Sequence, residues 1–293
     1  MFKDNIQNIK NKNNIINVLK AINYKATIAK NELDKFNLQN RIDTKYIIHI
    51  SALDRLIINL NPEFRILEIN NIRLFTYETQ YFDTEDLQFY NQHHNKRANR
   101  QKVRLRNYLD SSIAFLEIKS KNNKKKTSKT RIQIEPKNLS NFNKNELDLT
   151  KEITFLNDNL DINYRDLHNS VTVKYQRITL VNINTKEKIT FDFNFSTTKN
   201  PDLILSDLVI IEHKCSDNSR INSFFLYFKA FGAHKFKLSK YCFGLFLSGK
   251  EIKINNFKHR YLQILKLIHE RGYNGFNCNN GEQLKLNVSR FFD

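Results

Sequence analysis

The segment Gln101–Lys121, QKVRLRNYLDSSIAFLEIKSK, alternates charged and apolar residues, reverses at a polar turn, and alternates again. A period of two belongs to a β-strand, because successive side chains leave the backbone on opposite faces. The segment therefore reads as a hairpin. One face carries Lys102, Arg104 and Arg106 on the first strand and Glu117, Lys119 and Lys121 on the second. The other carries Val103, Leu105, Leu116 and Ile118, which must be covered by something. A polar face this basic either meets bulk water or is gathered around an anion.

The pattern recurs along the chain. Period-two segments place Asp43 with Lys45 in RIDTKYIIHI, Lys129 with Arg131 in SKTRI, and Glu212 with Lys214 in LVIIEHK, while Arg177 stands in VKYQRITL and Lys237 and Lys240 in KLSKY. NIRLFTYETQYFDT is a further strand, and SVTVKYQRITLV and EKITFDFNFS form a second hairpin joined at Asn184-Thr185. Helical spacing marks an amphipathic lead-in over Asn14–Leu38, a short helix in SALDRLIINL with Ser51 as its cap, a segment over Asn218–Phe231, and a terminal helix closing near Gly272. His93 and His94 lack the spacing of a metal pair and read as loop residues. The sum is roughly eight mostly antiparallel strands with helices at both ends and between them. If the helices cover the apolar face from outside, the charged face lines the inside of a closed sheet.

Composition decides between a basic tail and a basic globule. The 293 residues carry a net charge of +18, yet 40% are hydrophobic and 23 are phenylalanine, so the charge belongs to a folded protein. Such a charge points to a polyanionic partner, although part of the lysine excess accompanies the Asn-, Lys- and Ile-rich bias of AT-rich genomes. The three cysteines, Cys215, Cys242 and Cys278, show neither a disulfide spacing nor a zinc signature. The absence of a signal-type N-terminus or a long apolar run predicts a cytoplasmic protein with no membrane span. Neither GxxxxGK[ST] nor GxGxxG occurs, so a bound nucleotide is not held by a P-loop or a Rossmann turn. No GxSxG or Ser-His-Asp grouping points to a protein nucleophile.

Two chemical features remain. Arg104 and Arg106 lie two residues apart on one strand face, roughly 7 Å, a separation at which two guanidinium forks can hold successive phosphates. Alone, such a pair is more simply a solvated strand face. Glu117 with Lys119 and Glu212 with Lys214 form two E-x-K pairs. Each is either a local charge-neutralising pair or, beside phosphates, a carboxylate for a divalent metal next to a lysine for the phosphate.

The ordered motifs RIDTKY (41–46), YFDTEDLQFYNQH (81–93), RQKVRLRNY (100–108), FLEIKSK (115–121), SKTRI (128–132), VKYQRITL (173–180), EKITFDFN (187–194), LVIIEHK (208–214) and KLSKYCFG (237–244) resemble the VTC domain. That family is the polyphosphate polymerase branch of the triphosphate tunnel metalloenzymes. The resemblance implies an α+β fold: a closed eight-stranded antiparallel β-barrel with helices packed outside and at both termini. It divides the chain into a helical lead-in (1–40), a tunnel domain (41–250) and a C-terminal helix and tail on the same domain (251–293). The implied activity is transfer of the γ-phosphate of ATP to a growing polyphosphate chain, with Mn²⁺ or Mg²⁺.

Carried over by motif, Lys45, Arg104, Arg106, Lys119 and Arg177 are the implied catalytic contacts. Lys129, Arg131, Lys188, Lys214, Lys237, Ser239 and Lys240 are the implied phosphate-binding residues, Lys188 standing where similar proteins often have Arg. Glu212 is the implied metal ligand, with Glu117 as the second. The implied partners are ATP and inorganic polyphosphate, without a specific nucleic acid, since the aromatics fall mostly on apolar faces rather than among the cations. The same tunnel could hydrolyse triphosphate, a nucleoside triphosphate or an RNA 5′-triphosphate, and a non-catalytic binder of polyphosphate, inositol phosphates or nucleic acid is the third reading.

Overall fold

The structure is a computed structural model that describes residues 2–33, 41–124, 127–135, 150–216 and 218–269. In chain order the elements are α1 (Phe2–Asn23), β1 (Thr27–Ala29), α2 (Lys30–Leu33), β2 (Ile42–His49), α3 (Leu53–Asn59), β3 (Phe64–Glu68), β4 (Phe75–Asp83) and α4 (Gln88–His94). Then follow β5 (Arg100–Tyr108), β6 (Ile113–Lys121), β7 (Thr127–Ile134), α5 (Thr150–Asn159), β8 (His168–Asn182), β9 (Lys188–Thr197), β10 (Asn200–Leu205) and β11 (Leu208–Cys215). The last elements are α6 (Asn218–Ala230), β12 (His234–Lys235), α7 (Lys240–Leu247) and α8 (Lys258–His269).

One 12-stranded sheet runs in the order β12, β2, β11, β9, β8, β4, β5, β6, β7, with β10 on β9, β3 on β8 and β1 on β3. Among the described residues only β1 and β3 pair in parallel; all the other pairings are antiparallel. The closed eight-stranded barrel is therefore corrected: the sheet has more strands and is not closed, β12 and β7 being its two ends. The two ends give the reason. β12 contributes only two residues, and β7 is exposed from Thr127 to Arg131. The sheet nevertheless curls on itself, because Lys119 of β6 lies close enough to feel Asp43 and Lys45 of β2 and Glu212 of β11.

Both faces are packed. Outside, Tyr46, Ile48, Ile178, Ile189, Phe191, Val209 and Ile211 form one core with Val18 of α1, Leu56 of α3 and Phe228 of α6. A second outer core joins Val103, Leu105, Leu116 and Ile118 to Phe89 of α4 and Leu156 of α5. Each such fully buried side chain contributes roughly 1.5–3 kcal/mol of apolar burial. The third core lies inside: Ile47, Val171, Val173, Tyr175 and Ile210 pack against Phe243, Leu245, Tyr261 and Ile264 of α7 and α8. Helices therefore lie on both faces of the sheet rather than only outside.

The approach of α7 is close enough to require a glycine. A Cβ on Gly244 would lie 2.4 Å from Val173 Cγ2. The motif YFDT does related work, because the buried Asp83 carboxylate accepts from the backbone N–H groups of Phe89 and Tyr90 at 2.8 Å and from the Tyr241 hydroxyl. It thus pins the start of α4 and α7 to the end of β4.

Other readings shift locally. The lead-in helix runs from Phe2 to Asn23, with β1 and α2 after it, and the expected stretch to Leu38 lies partly outside the described residues. His49, rather than Ser51, accepts the capping hydrogen bond before α3, receiving it from Ser51 N–H at 3.2 Å. His93 and His94 close α4 instead of lying in a loop. Gly272 and Cys278 lie outside the described residues. No described helix is long and apolar enough to cross a membrane.

Candidate functional site

The inner face changes character along the same strands. Two residues from Ile47 and Ile210, which lie under α7 and α8, stand Lys45 and Glu212, paired across β2 and β11. Two residues from Tyr175 stands Arg177, paired with Asp192 across β8 and β9. On β5 and β6 the inward positions pair Lys102 with Lys119 and Arg104 with Glu117. On β7 they pair Lys129 with Lys119 and Arg131 with Glu117. Strand parity puts these charges inside.

Three carboxylates organise the cations. Glu212 accepts from Lys45 Nζ at 2.8 Å, and Lys214 Nζ lies 3.4 Å from its other oxygen. Asp192 is fully buried and takes a fork from Arg177, with Nε–Oδ1 2.5 Å and Nη2–Oδ2 2.7 Å, while Lys240 Nζ stands 2.6 Å from Oδ2. Glu117, also buried, accepts from Arg104 Nε at 2.6 Å and contacts Lys129 Nζ. Burial alone would raise all three carboxyls. Arg177 and Lys240 instead hold Asp192 at about 2. Arg104, Arg106 and Lys129 hold Glu117 at about 2. Lys214, Lys45 and Lys240 keep Glu212 well below the usual carboxylate range.

Arg106 differs from these partners. Its residue is 8% exposed and its Nε has no hydrogen-bond partner among the described residues. It sits 5.8 Å from the centroid of the Tyr77 ring, which also carries Arg177 at 5.0 Å and stacks on Tyr175 with centroids 5.4 Å apart. The aromatic pair is the floor on which the cations rest, with Lys240 5.1 Å from the Tyr175 ring. Burial would push the Tyr175 phenol up, but Arg106, Arg177 and Lys240 pull it below its ordinary value. A buried phenol shifted that way reports a strongly positive potential.

The charged face opens into a cavity of about 730 Å³ beside α7 and α8, lined by Lys45, Lys96, Arg100, Lys102, Lys237 and Arg260, with Asp43 as the carboxylate among its walls. Lys102 Nζ donates to Ser239 Oγ at 3.0 Å, and that oxygen also caps α7 by accepting from Cys242 N–H. Burial lowers Lys102 to about 8. Burial also lowers Lys119, Lys129 and Lys214.

Most of the residues singled out in the sequence thus share one inner surface. Two are peripheral: Arg131 lies over the Phe115 ring at 4.6 Å on the exposed β7, and Lys237 is exposed at the cavity rim. Lys188 pairs with Lys214 at the far end of the ladder. Sequence reasoning missed Asp192, Tyr77 and Tyr175, and it placed Lys102 on the charged face without giving it a role. Asp192 was recoverable by parity, two steps from Thr190 and four from Lys188 in EKITFD.

A divalent metal finds a fitting donor here. Among the described residues no three carboxylates of this inner face come together into an acidic cage. Hard cations of the Mg²⁺ and Mn²⁺ type need none, being held by one or two carboxylates plus phosphate oxygens. Glu212, ionised and flanked by Lys45 and Lys214, meets that requirement.

Comparison with known proteins finds a family. A family model described as the VTC domain matches residues 40–248, more than half of the chain. No curated protein matches the sequence. Among solved structures, a protein from Bacillus halodurans provisionally assigned as an adenylate cyclase superposes with a TM-score of 0.48 at 16% identity, covering 74% of this chain and 97% of its own. An adenylyl cyclase-like protein from Hippeastrum, described as having a dominant triphosphatase activity, gives 0.47 at 15%, covering 73% and 99%.

Proposed function

The chain belongs to the VTC-domain family, a tunnel-fold phosphoryl-transfer family, and from that premise we propose that it extends inorganic polyphosphate with the γ-phosphate of ATP. The observation that carries this reading is a line of cations longer than one triphosphate requires. Arg106, Arg104, Lys102 and Arg100 alternate on β5 over about 20 Å at the usual strand rise and continue into the basic cavity. A hydrolase needs to hold only the triphosphate and a water; a polymerase must also hold the chain it lengthens.

The state of the carboxylates supports the same reading. A terminal phosphate oxygen of polyphosphate is already anionic and attacks the γ-phosphorus without a general base. The bond from that phosphorus to the β–γ bridging oxygen breaks, and ADP leaves with the electron pair. Attack by water calls for a proton acceptor, and carboxylates held well below their usual range by two or more cations are poor bases.

In this reading Arg104, Arg106 and Lys119 grip the triphosphate, while Lys45, Lys129 and Lys214 neutralise its oxygens. Arg177 and Lys240, tied to Asp192, supply the fixed positive field behind it. Arg131, Lys188, Lys237 and Ser239 guide the polymer at the tunnel ends. A divalent metal, when bound through Glu212 and phosphate oxygens, supplies further charge neutralisation; Glu117 faces the same phosphates as a second carboxylate.

The test is incubation of the purified chain with ATP and Mn²⁺, with products resolved on a polyphosphate gel. A ladder with matching ADP release is expected. Orthophosphate release without a ladder would assign the tunnel to hydrolysis, and turnover of neither kind would leave it a binder.

A further inference from the structure

The outer face of β11 carries a cluster that the tunnel does not use. In the run Glu212-His213-Lys214-Cys215, Glu212 and Lys214 face the tunnel, so His213 and Cys215 face the opposite side, beneath α6. Glu187 stands opposite Cys215, one step beyond the Lys188–Lys214 pair of the β9–β11 ladder. His213 and Cys215 are 0% exposed and Glu187 2%. A nitrogen, a sulfur and a carboxylate oxygen from these three residues all lie within 4.8 Å of one another.

We propose that Glu187, His213 and Cys215 bind a zinc-type transition-metal ion on the outer face of the sheet, separate from the divalent metal of the tunnel. The imidazole is the first argument. Neither ring nitrogen of His213 has a hydrogen-bond partner among the described residues, although the ring is fully buried between β11 and Phe224, whose centroid is 4.3 Å away. Buried polar atoms in that state are costly, and a lone pair directed at a cation satisfies one of them.

Geometry is the second argument. His213 Nε2 lies 3.6 Å from Glu187 Oε1, beyond hydrogen-bonding distance. Zinc–ligand bonds of about 2.0–2.3 Å at tetrahedral angles separate neighbouring donors by roughly 3.3–3.6 Å. Thr185 Oγ1 donates to Glu187 Oε2 at 3.0 Å, the outer-shell hydrogen bond that orients a ligating carboxylate.

Donor chemistry selects the ion. A thiolate with an imidazole favours zinc over the Mg²⁺ or Mn²⁺ that oxygen-rich sites take. Thiolate plus carboxylate neutralises a dication, so the filled site carries no net charge into an apolar layer. The sequence shows no zinc signature because these ligands are an i, i+2 pair on one strand and a residue on the neighbouring strand.

The test uses the full chain produced with zinc, and separately with cobalt in its place, supplied during expression and again during refolding. One zinc per chain should remain after gel filtration in excess Mg²⁺, and the cobalt protein should show a thiolate-to-metal charge-transfer band in the near ultraviolet. The band should persist in Cys242→Ser/Cys278→Ser, which leaves Cys215 as the one cysteine of the three, and vanish in Cys215→Ser. A folded wild-type chain with neither retained zinc nor the band overturns the proposal, as does a band lost with Cys242 and Cys278. The wild-type and double-variant measurements decide the matter even where Cys215→Ser fails to fold. Polyphosphate synthesis is not the readout, so failure here and failure of the polymerase reading are distinguishable.

Discussion

The two halves of the curled sheet's inner face are built alike and charged differently. On β5, β6 and β7 the inward positions Lys102, Arg104, Arg106, Lys119, Lys129 and Arg131 face a single carboxylate, Glu117. On β2, β11, β9 and β8 the inward cations Lys45, Lys214, Lys188 and Arg177 are interleaved with Asp43, Glu212 and Asp192. One wall is a surplus of positive charge awaiting an anion; the other is nearly self-neutralised and already hydrogen-bonded. In the proposed function the surplus wall is the one that binds phosphate, and the balanced wall supplies rigidity and the metal-binding carboxylate.

The sharpest way to break this contrast is to remove a carboxylate from the balanced wall. Asp192→Ala leaves Arg177 and Lys240 as buried cations without their counter-ion, and should cost about 3–5 kcal/mol in chemical denaturation. A loss below about 1 kcal/mol would mean that this wall is solvated rather than structural.

On the surplus wall the same kind of deletion should strike function instead. Arg104→Ala with Arg106→Ala should lower kcat/KM for ATP by about 10²–10³-fold, with a far-ultraviolet circular dichroism spectrum that does not change. Unaltered affinity for triphosphate would show that neither arginine holds it.

Glu212→Gln separates the metal from the phosphates. It should weaken the apparent Mn²⁺ affinity about 10–100-fold, measured by titrating metal at fixed ATP, and an unchanged metal curve would move the ligand role to another residue. The smallest effect concerns Lys102. With its ammonium lowered to about 8, largely by burial, it is a cation below that pH and neutral above it. Polyphosphate affinity should therefore fall as pH rises through about 8, by less than about fivefold, the worth of one ion pair near solvent. Lys102→Arg, charged throughout, should flatten that step; a step that survives the substitution assigns it to another group.

Most of the site was legible because a strand's period of two is rigid. Once Arg104 faces inward, Arg106 and Lys102 must as well, and E-x-K puts both charges of each pair on one face. Two kinds of information were not. Asp192 reads as one polar residue in a mostly apolar strand, and its pairing with Arg177 is set by the β8–β9 register, which shifts between Lys174 and Gln176. The apolar half of the inner face was also hidden, because KYCFGLFL has apolar residues almost all round and no 3.6-residue period to mark it as a helix. Its seat against Val173 is visible only when Gly244 and the strand are brought together.

The sequence by itself determined the alternation, the face on which each charge lies, and the family, since these follow from local backbone geometry and from the order of motifs along the chain. The tertiary structure alone decided how far the sheet curls without closing, which half of its concave face α7 and α8 keep dry, and which cations are already paired with a carboxylate. Those outcomes depend on contacts between residues far apart in the chain, where packing and burial, rather than periodicity, set the free energy.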